Sequence, residues 1–254
     1  METSILQHRV PSIFAESPSP QVSHRYKFVS TLDYIRALED RGWSIDDASQ
    51  SRSRVHSPLH VKHRITFSHK GMQEAHNTQA LGGLRPRVLF VNSHAGQGKV
   101  IARIGLFRLL CTNGLIVSEG RIAGFQFPHT QSAKELSEVL TESFFADVLG
   151  AVESANRWKD INLDEAQRID LATIGRNLRF GEDSPVMPSA LLLPHRYQDS
   201  GKDLWSTFNT IQENTNREGI KLAGARRRTR RIRSIDKDLS VNSGLWDAAA
   251  AYAQ

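Results

Sequence analysis

The stretch from Arg85 to Val117 constrains the fold most strongly, because it is the longest apolar-rich passage of the chain. Within it, Val88 to Val91 is a run of β-forming residues that is too short for a typical helix, which indicates a buried strand. Turn-forming residues follow at His94 to Gly98 and again at Asn113-Gly114. The β-prone residues Leu115 to Val117 come next. The passage therefore predicts a central sheet.

Further elements of the sheet lie on both sides of this passage. His56 to Lys70 alternates apolar and polar residues, which predicts a half-buried strand, and Arg121 to Phe127 predicts one more. A helix is predicted before the sheet, where Ser30 provides a hydroxyl cap and Asp33 follows three residues later.

After residue 132 the pattern becomes helical. Ser132 and Glu135 have the spacing of a capping box, and an apolar residue then recurs at every fourth position, at Leu136, Leu140, Phe144, Val148 and Val152. Three more helices are predicted: one over Leu163 to Leu178, one with a stripe of Leu204, Phe208 and Ile211, and one over Leu239 to Ala253. The expected fold is α+β, with an antiparallel sheet in the N-terminal half packed by helices and a helical C-terminal half.

The expected domain organisation has two parts. Residues 1–25 are rich in Ser, Pro and Gln and are predicted to form a flexible N-terminal arm. Residues 26–254 are predicted to form a single α+β domain, since a chain of 254 residues can bury a substantial core. This domain includes residues 217–237, called the basic segment below.

The basic segment carries the unusual charge of the protein. It contains seven Arg and two Lys against Glu218 and Asp236, a net charge of +7, so the rest of the chain sums to −1 of the total +6. Guanidinium groups bind phosphate through two parallel hydrogen bonds and stay charged, which makes a polyanionic partner the natural ligand. The candidate contacts are Arg226, Arg227, Arg228, Arg230, Arg231 and Arg233, together with Arg217 and Lys221. The competing interpretation is a solvated tether without function.

Other candidate contacts with nucleic acid lie outside this segment. Arg87, Arg103 and Arg108 flank the proposed sheet, where each could equally be an ordinary surface residue in a salt bridge. Tyr197 stands beside His195 and Arg196 in a predicted loop, and an aromatic ring beside cations suits stacking on a base. Trp205 and Phe208 fall near an apolar helix stripe and are predicted to be core residues.

Signatures of enzymes and cofactors are absent or incomplete. Gly96 to Lys99 lacks the first Gly and the final Ser or Thr of a phosphate-binding loop, so no ATP site is expected. The triad His56, His60 and His63 is interrupted by Pro58, and no metal is expected. No nucleophile motif is present, and Glu182-Asp183 has no identifiable catalytic partner. We therefore expect a non-enzymatic protein without cofactors.

Composition indicates the cellular compartment in which the protein is expected. No window approaches 18 consecutive apolar residues, so no membrane partner is expected, and the N-terminus lacks the features of a secretory signal. The single cysteine, Cys111, excludes an intrachain disulfide and fits a reducing cytoplasm. A cytoplasmic location is the expectation.

Several blocks of the sequence resemble, in the same order, the phage- and plasmid-associated domain-of-unknown-function family nine-three-two. The resemblance covers roughly Tyr26 to Ala253, and its blocks are LRPRVLFVNSHAGQGK, IGLFRLLCTNGLIV, LWSTFNTIQENTNREGI, RRRTRRIRSID and LSVNSGLWDAAAAYA. That family is loosely similar in fold to phage single-strand annealing proteins of the RecT and Erf group. The similarity implies an antiparallel sheet crossed by a long helix, and assembly into a ring or filament along single-stranded DNA.

The functional hypothesis is single-stranded DNA binding or strand annealing through contacts between arginine and phosphate. Two alternatives remain open at this point. One is a protein-interaction module that blocks or recruits a host nucleic-acid machine, with the basic segment as a docking arm. The other is a nuclease or nucleotide-modifying enzyme whose catalytic residues are dispersed in the sequence.

Overall fold

The computed structural model describes residues 3–71, 84–96, 99–108, 114–116, 125–127, 132–217, 219–221 and 228–254. Its helices are α1 (Thr3–Arg9), α2 (Thr31–Glu39), α3 (Ala133–Arg157), α4 (Glu165–Phe180), α5 (Leu204–Asn216) and α6 (Ile235–Ala251). Its strands are β1 (Trp43–Gln50), β2 (His63–His69), β3 (Leu84–Asn92), β4 (Val100–Arg108), β5 (Gly114–Ile116) and β6 (Phe125–Phe127). Strands lie in the N-terminal half and helices fill most of the C-terminal half, which confirms the α+β prediction.

The sheet is antiparallel, with β1, β2, β3 and β4 paired in that order and β6 paired with β4. Ile65 pairs with Phe90 and Phe67 pairs with Val88, and all four side chains are fully buried. Because alternate residues of a strand point to the same side, these residues form one apolar face. The run from Val88 to Val91 is therefore the buried strand that the sequence predicted.

Helices α2 and α3 pack on this sheet. The Ser30 side chain accepts a hydrogen bond from the Leu32 amide and caps α2, whose Tyr34 ring lies 5.2 Å from the Phe90 ring. The predicted capping box starts α3, and all five residues of its predicted apolar row are buried. Trp43 of β1 packs edge-on against Phe144 of this row at 4.6 Å, and its indole N–H donates to Thr141.

Contacts within the structure divide it into two compact units. Unit 1 comprises Met1–Leu109 and Gly120–Val148, and unit 2 comprises Leu110–Glu119 and Leu149–Gln254. The prediction of one domain over 26–254 did not include this division. In unit 1, the segment predicted as a flexible arm contains Val10 and Ile13, which are both fully buried. Ser12 of the same segment donates from its amide and its hydroxyl to the side-chain oxygen of Gln50 in β1.

The core of unit 2 is aromatic. The Trp158 ring lies 4.3 Å from Trp246 and 5.5 Å from Phe208, and Trp205 stacks on Phe208 at 6.2 Å. Trp205 and Phe208 are thus core residues, as predicted. Helix α5 is buried around almost its whole circumference, and α4 approaches it closely because Gly175 has no side chain. A Cβ atom at this position would lie 2.7 Å from a methyl carbon of Ile211.

A buried hydroxyl at the start of α2 contacts two histidines and an asparagine in unit 1. Thr31 Oγ1 lies 2.9 Å from His63 Nε2 and 3.1 Å from His94 Nε2, and it accepts a hydrogen bond from Asn92 at 3.0 Å. His63 Nδ1 faces the Val61 carbonyl at 3.2 Å and must donate to it, so His63 Nε2 accepts the Thr31 proton. Thr31 then has only acceptor capacity left, and His94 donates to it from Nε2. The His63 ring is neutral in this arrangement.

The buried His63 ring predicts a loss of stability in mild acid. Burial lowers the pKa of His63 from 6.5 to about 4, against the opposing effect of its hydrogen bond to the Val61 carbonyl. The unfolded chain therefore takes up a proton before the folded chain does. The contribution of His63 to the free energy of unfolding should be fully present above pH 6.5 and be lost between pH 6.5 and 4, by on the order of 3 kcal/mol.

Urea unfolding at a series of pH values measures this effect. The His63→Gln variant should have a shallower pH dependence in that window, because the titrating ring is gone. His24, which is exposed, provides the control: His24→Gln should retain the dependence of the parent protein. Equal slopes for the parent and His63→Gln would contradict the assignment.

Candidate nucleic-acid interface

The basic segment folds back on itself as a short antiparallel pair in unit 2. Lys221 pairs with Arg228, the Gly219 amide donates to the Thr229 carbonyl, and the Thr229 amide donates to the Ile220 carbonyl. Thr229 is buried, and its hydroxyl oxygen accepts a further hydrogen bond from the Ile220 amide. We call residues 219–221 and 228–230 the basic hairpin. Its backbone is held in place by these four contacts.

Arg179, in the last turn of α4, joins the basic hairpin to α4 and α5 through hydrogen bonds. Its guanidinium donates to the Arg230 carbonyl at 2.8 Å and to the Thr215 carbonyl near the end of α5 at 3.1 Å. Partial burial lowers the pKa of Arg179 below its ordinary value, and the charge of nearby Asp238 opposes that shift. An arginine remains protonated in such a setting, so the donor pair is maintained.

Four arginines of the segment project from this anchored backbone. Arg228, Arg230, Arg231 and Arg233 are all exposed. Arg228 donates to the Gly219 carbonyl at 2.9 Å, and none of the four forms an ion pair with a carboxylate in the described part of the chain. No described carboxylate therefore lies within ion-pair distance of these four cationic side chains, and their mutual repulsion would be relieved by a bound polyanion.

Other predicted contacts of the segment have different surroundings. Arg217 forms an ion pair with Glu213 at 2.7 Å, so an acidic partner already neutralises its charge. Lys221 is exposed on the basic hairpin. Arg226 and Arg227 lie outside the described residues. Among the described members of the set, the geometry therefore favours Lys221, Arg228, Arg230, Arg231 and Arg233 as phosphate contacts.

The ion network that includes Arg217 and Glu213 also positions Tyr197. Arg196 makes two hydrogen bonds of 2.8 Å to Glu213 and a third of 3.1 Å to Asp199. The two carboxylates are almost completely buried, with side-chain exposures of 4% and 2%. These bonds fix the residues on both sides of Tyr197, whose own side chain is 91% exposed. A rigid backbone therefore presents an aromatic ring to solvent.

The predicted sheet arginines belong to unit 1. Arg87 pairs with Asp46 of β1 at 2.8 Å and lies in the middle of β3. Arg103 is half-buried in β4, opposite Leu89, and Arg108 is the last residue of that strand. Arg87 therefore forms the ordinary surface salt bridge that the sequence offered as the alternative to a phosphate contact. It weakens the case for Arg87 as a phosphate contact.

The described residues also bear on metal and membrane binding. No three His, Cys, Asp or Glu side chains converge there as a metal site would require. Within the same residues, no helix has the length and apolarity to cross a bilayer.

Comparison with known proteins places the chain in a family. The family model described as "Domain of unknown function (DUF932)" matches residues 20–246. The protein belongs to the DUF932 family. Two proteins of similar sequence come from Escherichia coli strain K12. UPF0380 protein YafZ is 32% identical over 251 residues, which is 95% of this chain and 88% of that protein. UPF0380 protein YfjQ is 32% identical over 246 residues, 93% of this chain and 86% of that protein.

No solved structure matches this DUF932 chain. The family assignment confirms the resemblance seen in the sequence blocks and covers both the sheet and the basic segment. The assignment of an interface therefore depends on the geometry of the basic hairpin and of Tyr197.

The buried network predicts that Glu213 is important for the stability of unit 2. Glu213→Gln leaves Arg196 and Arg217 facing a neutral amide, and breaking a buried ion pair costs on the order of 3 kcal/mol. Urea unfolding should show this loss.

Glu165→Gln is the matched control. Glu165 also pairs with an arginine, at 3.4 Å, but its side chain is 74% exposed. An exposed pair contributes under about 1 kcal/mol, so this variant should unfold close to the parent. Equal destabilisation by the two substitutions would show that the Glu213 network has no special structural role.

Proposed function

We propose that this protein binds single-stranded nucleic acid, with DNA as the first ligand to test, through the exposed arginines of the basic segment. One observation carries the proposal: Arg228, Arg230, Arg231 and Arg233 are exposed on an anchored backbone and unmatched by described carboxylates. Phosphate is the ligand that suits such a row, because guanidinium groups match its geometry and remain charged.

Tyr197 favours single strands over duplex as the ligand. Its side chain is 91% exposed, and the ion pairs of the neighbouring Arg196 hold the backbone beside it. An unpaired base has a free face that can stack on such a ring, whereas the bases of a duplex are already stacked on each other. The combination of cations with an exposed aromatic ring is typical of proteins that bind single strands without sequence preference.

The proposal extends to strand annealing in the cytoplasm by a protein of a phage, plasmid or other mobile element. Annealing requires no nucleotide hydrolysis, because a protein that neutralises two backbones lowers the repulsion between them. A second copy of the chain bound along the same strand would increase that effect, which motivates the proposed ring or filament. The support for this extension is the charge of the basic segment and the resemblance described for the sequence.

Removing two of the exposed arginines tests the binding proposal. The double variant Arg231→Ala/Arg233→Ala should bind a labelled oligothymidylate at least roughly tenfold more weakly at about 50 mM salt, since it loses two phosphate contacts. Fluorescence anisotropy measures the affinity, with a duplex of equal length alongside.

A control with the same change of charge is available in unit 1. Arg52 and Arg54 are exposed and lie outside the basic segment, so Arg52→Ala/Arg54→Ala should bind like the parent. Equal losses in the two double variants would mean that net charge alone drives binding. Absence of binding by the parent protein would favour an interaction with another protein.

Tyr197 gives an independent test of stacking. Tyr197→Ala should weaken binding of the single strand roughly tenfold, because stacking of one base on an aromatic ring contributes about 1–3 kcal/mol. Tyr197→Phe retains the ring and should bind like the parent. The same anisotropy titration distinguishes the two variants. If alanine and phenylalanine at this position give equal affinities, the ring does not stack on a base.

A further inference from the structure

A cleft opens beside the basic hairpin in unit 2. Its volume is about 540 Å³, within the range of about 300–1,000 Å³ that is common for small-ligand sites. One wall is formed by Thr229 and Arg230 of the basic hairpin, and the other by the end of α4 and the turn that follows it. A strand whose phosphates lie on Arg228, Arg230 and Arg231 would therefore pass along the rim of this cleft.

The cleft contains groups that hold a flat aromatic ligand. The Arg179 guanidinium lies 5.0 Å from the centre of the Phe180 ring, and both residues line the cleft. Arg179 is fixed by its two hydrogen bonds to backbone carbonyls, so this pair is preorganised. Aromatic rings and guanidinium planes are the surfaces on which proteins stack unpaired bases.

The turn after α4 adds hydrogen-bond acceptors. Glu182 and Asp183 line the cleft, and neither forms an ion pair with a described cation, although Arg179 and Arg230 line the same space. Their carboxylates repel phosphate, so the cleft is unsuited to the backbone of a nucleic acid. They accept hydrogen bonds only, and the ligand must therefore present donors.

The donors on the base edges differ in a way that selects one base. The Watson–Crick edge of guanine presents N1–H and N2–H side by side, and a carboxylate with two oxygens can accept both. Adenine and cytosine each present one amino group beside an acceptor nitrogen. Thymine presents one N–H between two carbonyl oxygens, which a carboxylate repels.

We infer that this cleft binds a single unpaired guanine base while the exposed arginines hold the adjoining phosphates. The inference rests on the proposed function, since it assumes that a strand lies on the basic hairpin. It adds base selectivity to binding that is otherwise indifferent to sequence. The carboxylates act as selectivity residues: they strengthen binding of one base and weaken binding of the others.

The test compares oligomers that differ at one position. An oligothymidylate of about 15 nucleotides is the reference, and the second oligomer carries one central guanosine. The protein should bind the second about tenfold more tightly, because a bidentate contact discriminates by about that factor or more. A third oligomer carries inosine, which lacks the N2 amine, and should bind close to the reference.

The double variant Glu182→Gln/Asp183→Asn identifies the groups responsible. It should lose the preference for guanosine, and its affinity for oligothymidylate should be unchanged or higher, because two negative charges are removed. Arg231→Ala/Arg233→Ala is the control. It should lower the affinity for both oligomers by the same factor, so the ratio of the two affinities should equal that of the parent protein. The urea midpoint of each variant shows whether it is folded.

The outcomes separate the two proposals. If the parent protein binds oligothymidylate but shows no preference for guanosine, the inference is wrong and the proposed function stands. A preference that survives Glu182→Gln/Asp183→Asn would also overturn the assignment of the cleft. If oligothymidylate is not bound at all at about 50 mM salt, the proposed function itself fails.

Discussion

The pairing of Arg196 with Glu213 is the interaction on which the candidate interface depends. Glu213 lies on a helix that is buried almost all round, where an unpaired carboxylate would be costly to desolvate. Arg196 satisfies it with two hydrogen bonds, and Arg217 forms an ion pair with it at 2.7 Å. Glu213 therefore pairs with Arg217, the first residue of the basic segment, as well as with Arg196. The exposed arginines further along are left without a described acidic partner.

The same arrangement explains why the proposed interface is rigid without being buried. Arg179 joins the ends of α4 and α5 to the backbone at Arg230, and the Arg196 network holds the residues beside Tyr197. Side chains on a fixed backbone lose less conformational entropy when they bind than side chains on a flexible chain. A solvated tether, which is the competing interpretation of the basic segment, would lack both anchors.

Local patterns predicted most of the fold. The capping box at Ser132 and the apolar row of α3 were sufficient because helix caps and helical periodicity are properties of neighbouring residues. Strand β1, with the sequence WSIDDASQ, was not predicted, because it has little apolar alternation and is defined by its pairing with β2. The all-round burial of α5 was also missed. Its Gln212 and Asn214 are buried through hydrogen bonds to distant residues, which no periodicity indicates.

The sequence predicted which residue types make up the candidate interface, but it did not predict how their side chains are arranged. The crowding of arginines near residue 230 and the exposure of Tyr197 follow from the sequence alone. The neutralisation of Arg217 depends on a carboxylate one helical turn away, which also pairs with Arg196 from a separate loop, so this arrangement required the structure. The cleft was missed because Arg179 and Arg230 are 51 positions apart in the chain.

The central claim is that the exposed guanidinium groups neutralise a phosphate backbone. The most direct measurement is the slope of the logarithm of the binding constant against the logarithm of the salt concentration, for a single-stranded oligomer. Four contacts, from Arg228, Arg230, Arg231 and Arg233, predict a slope of roughly −3, at about 0.7 per contact. A slope near zero would mean that these arginines do not bind phosphate, and it would contradict the account.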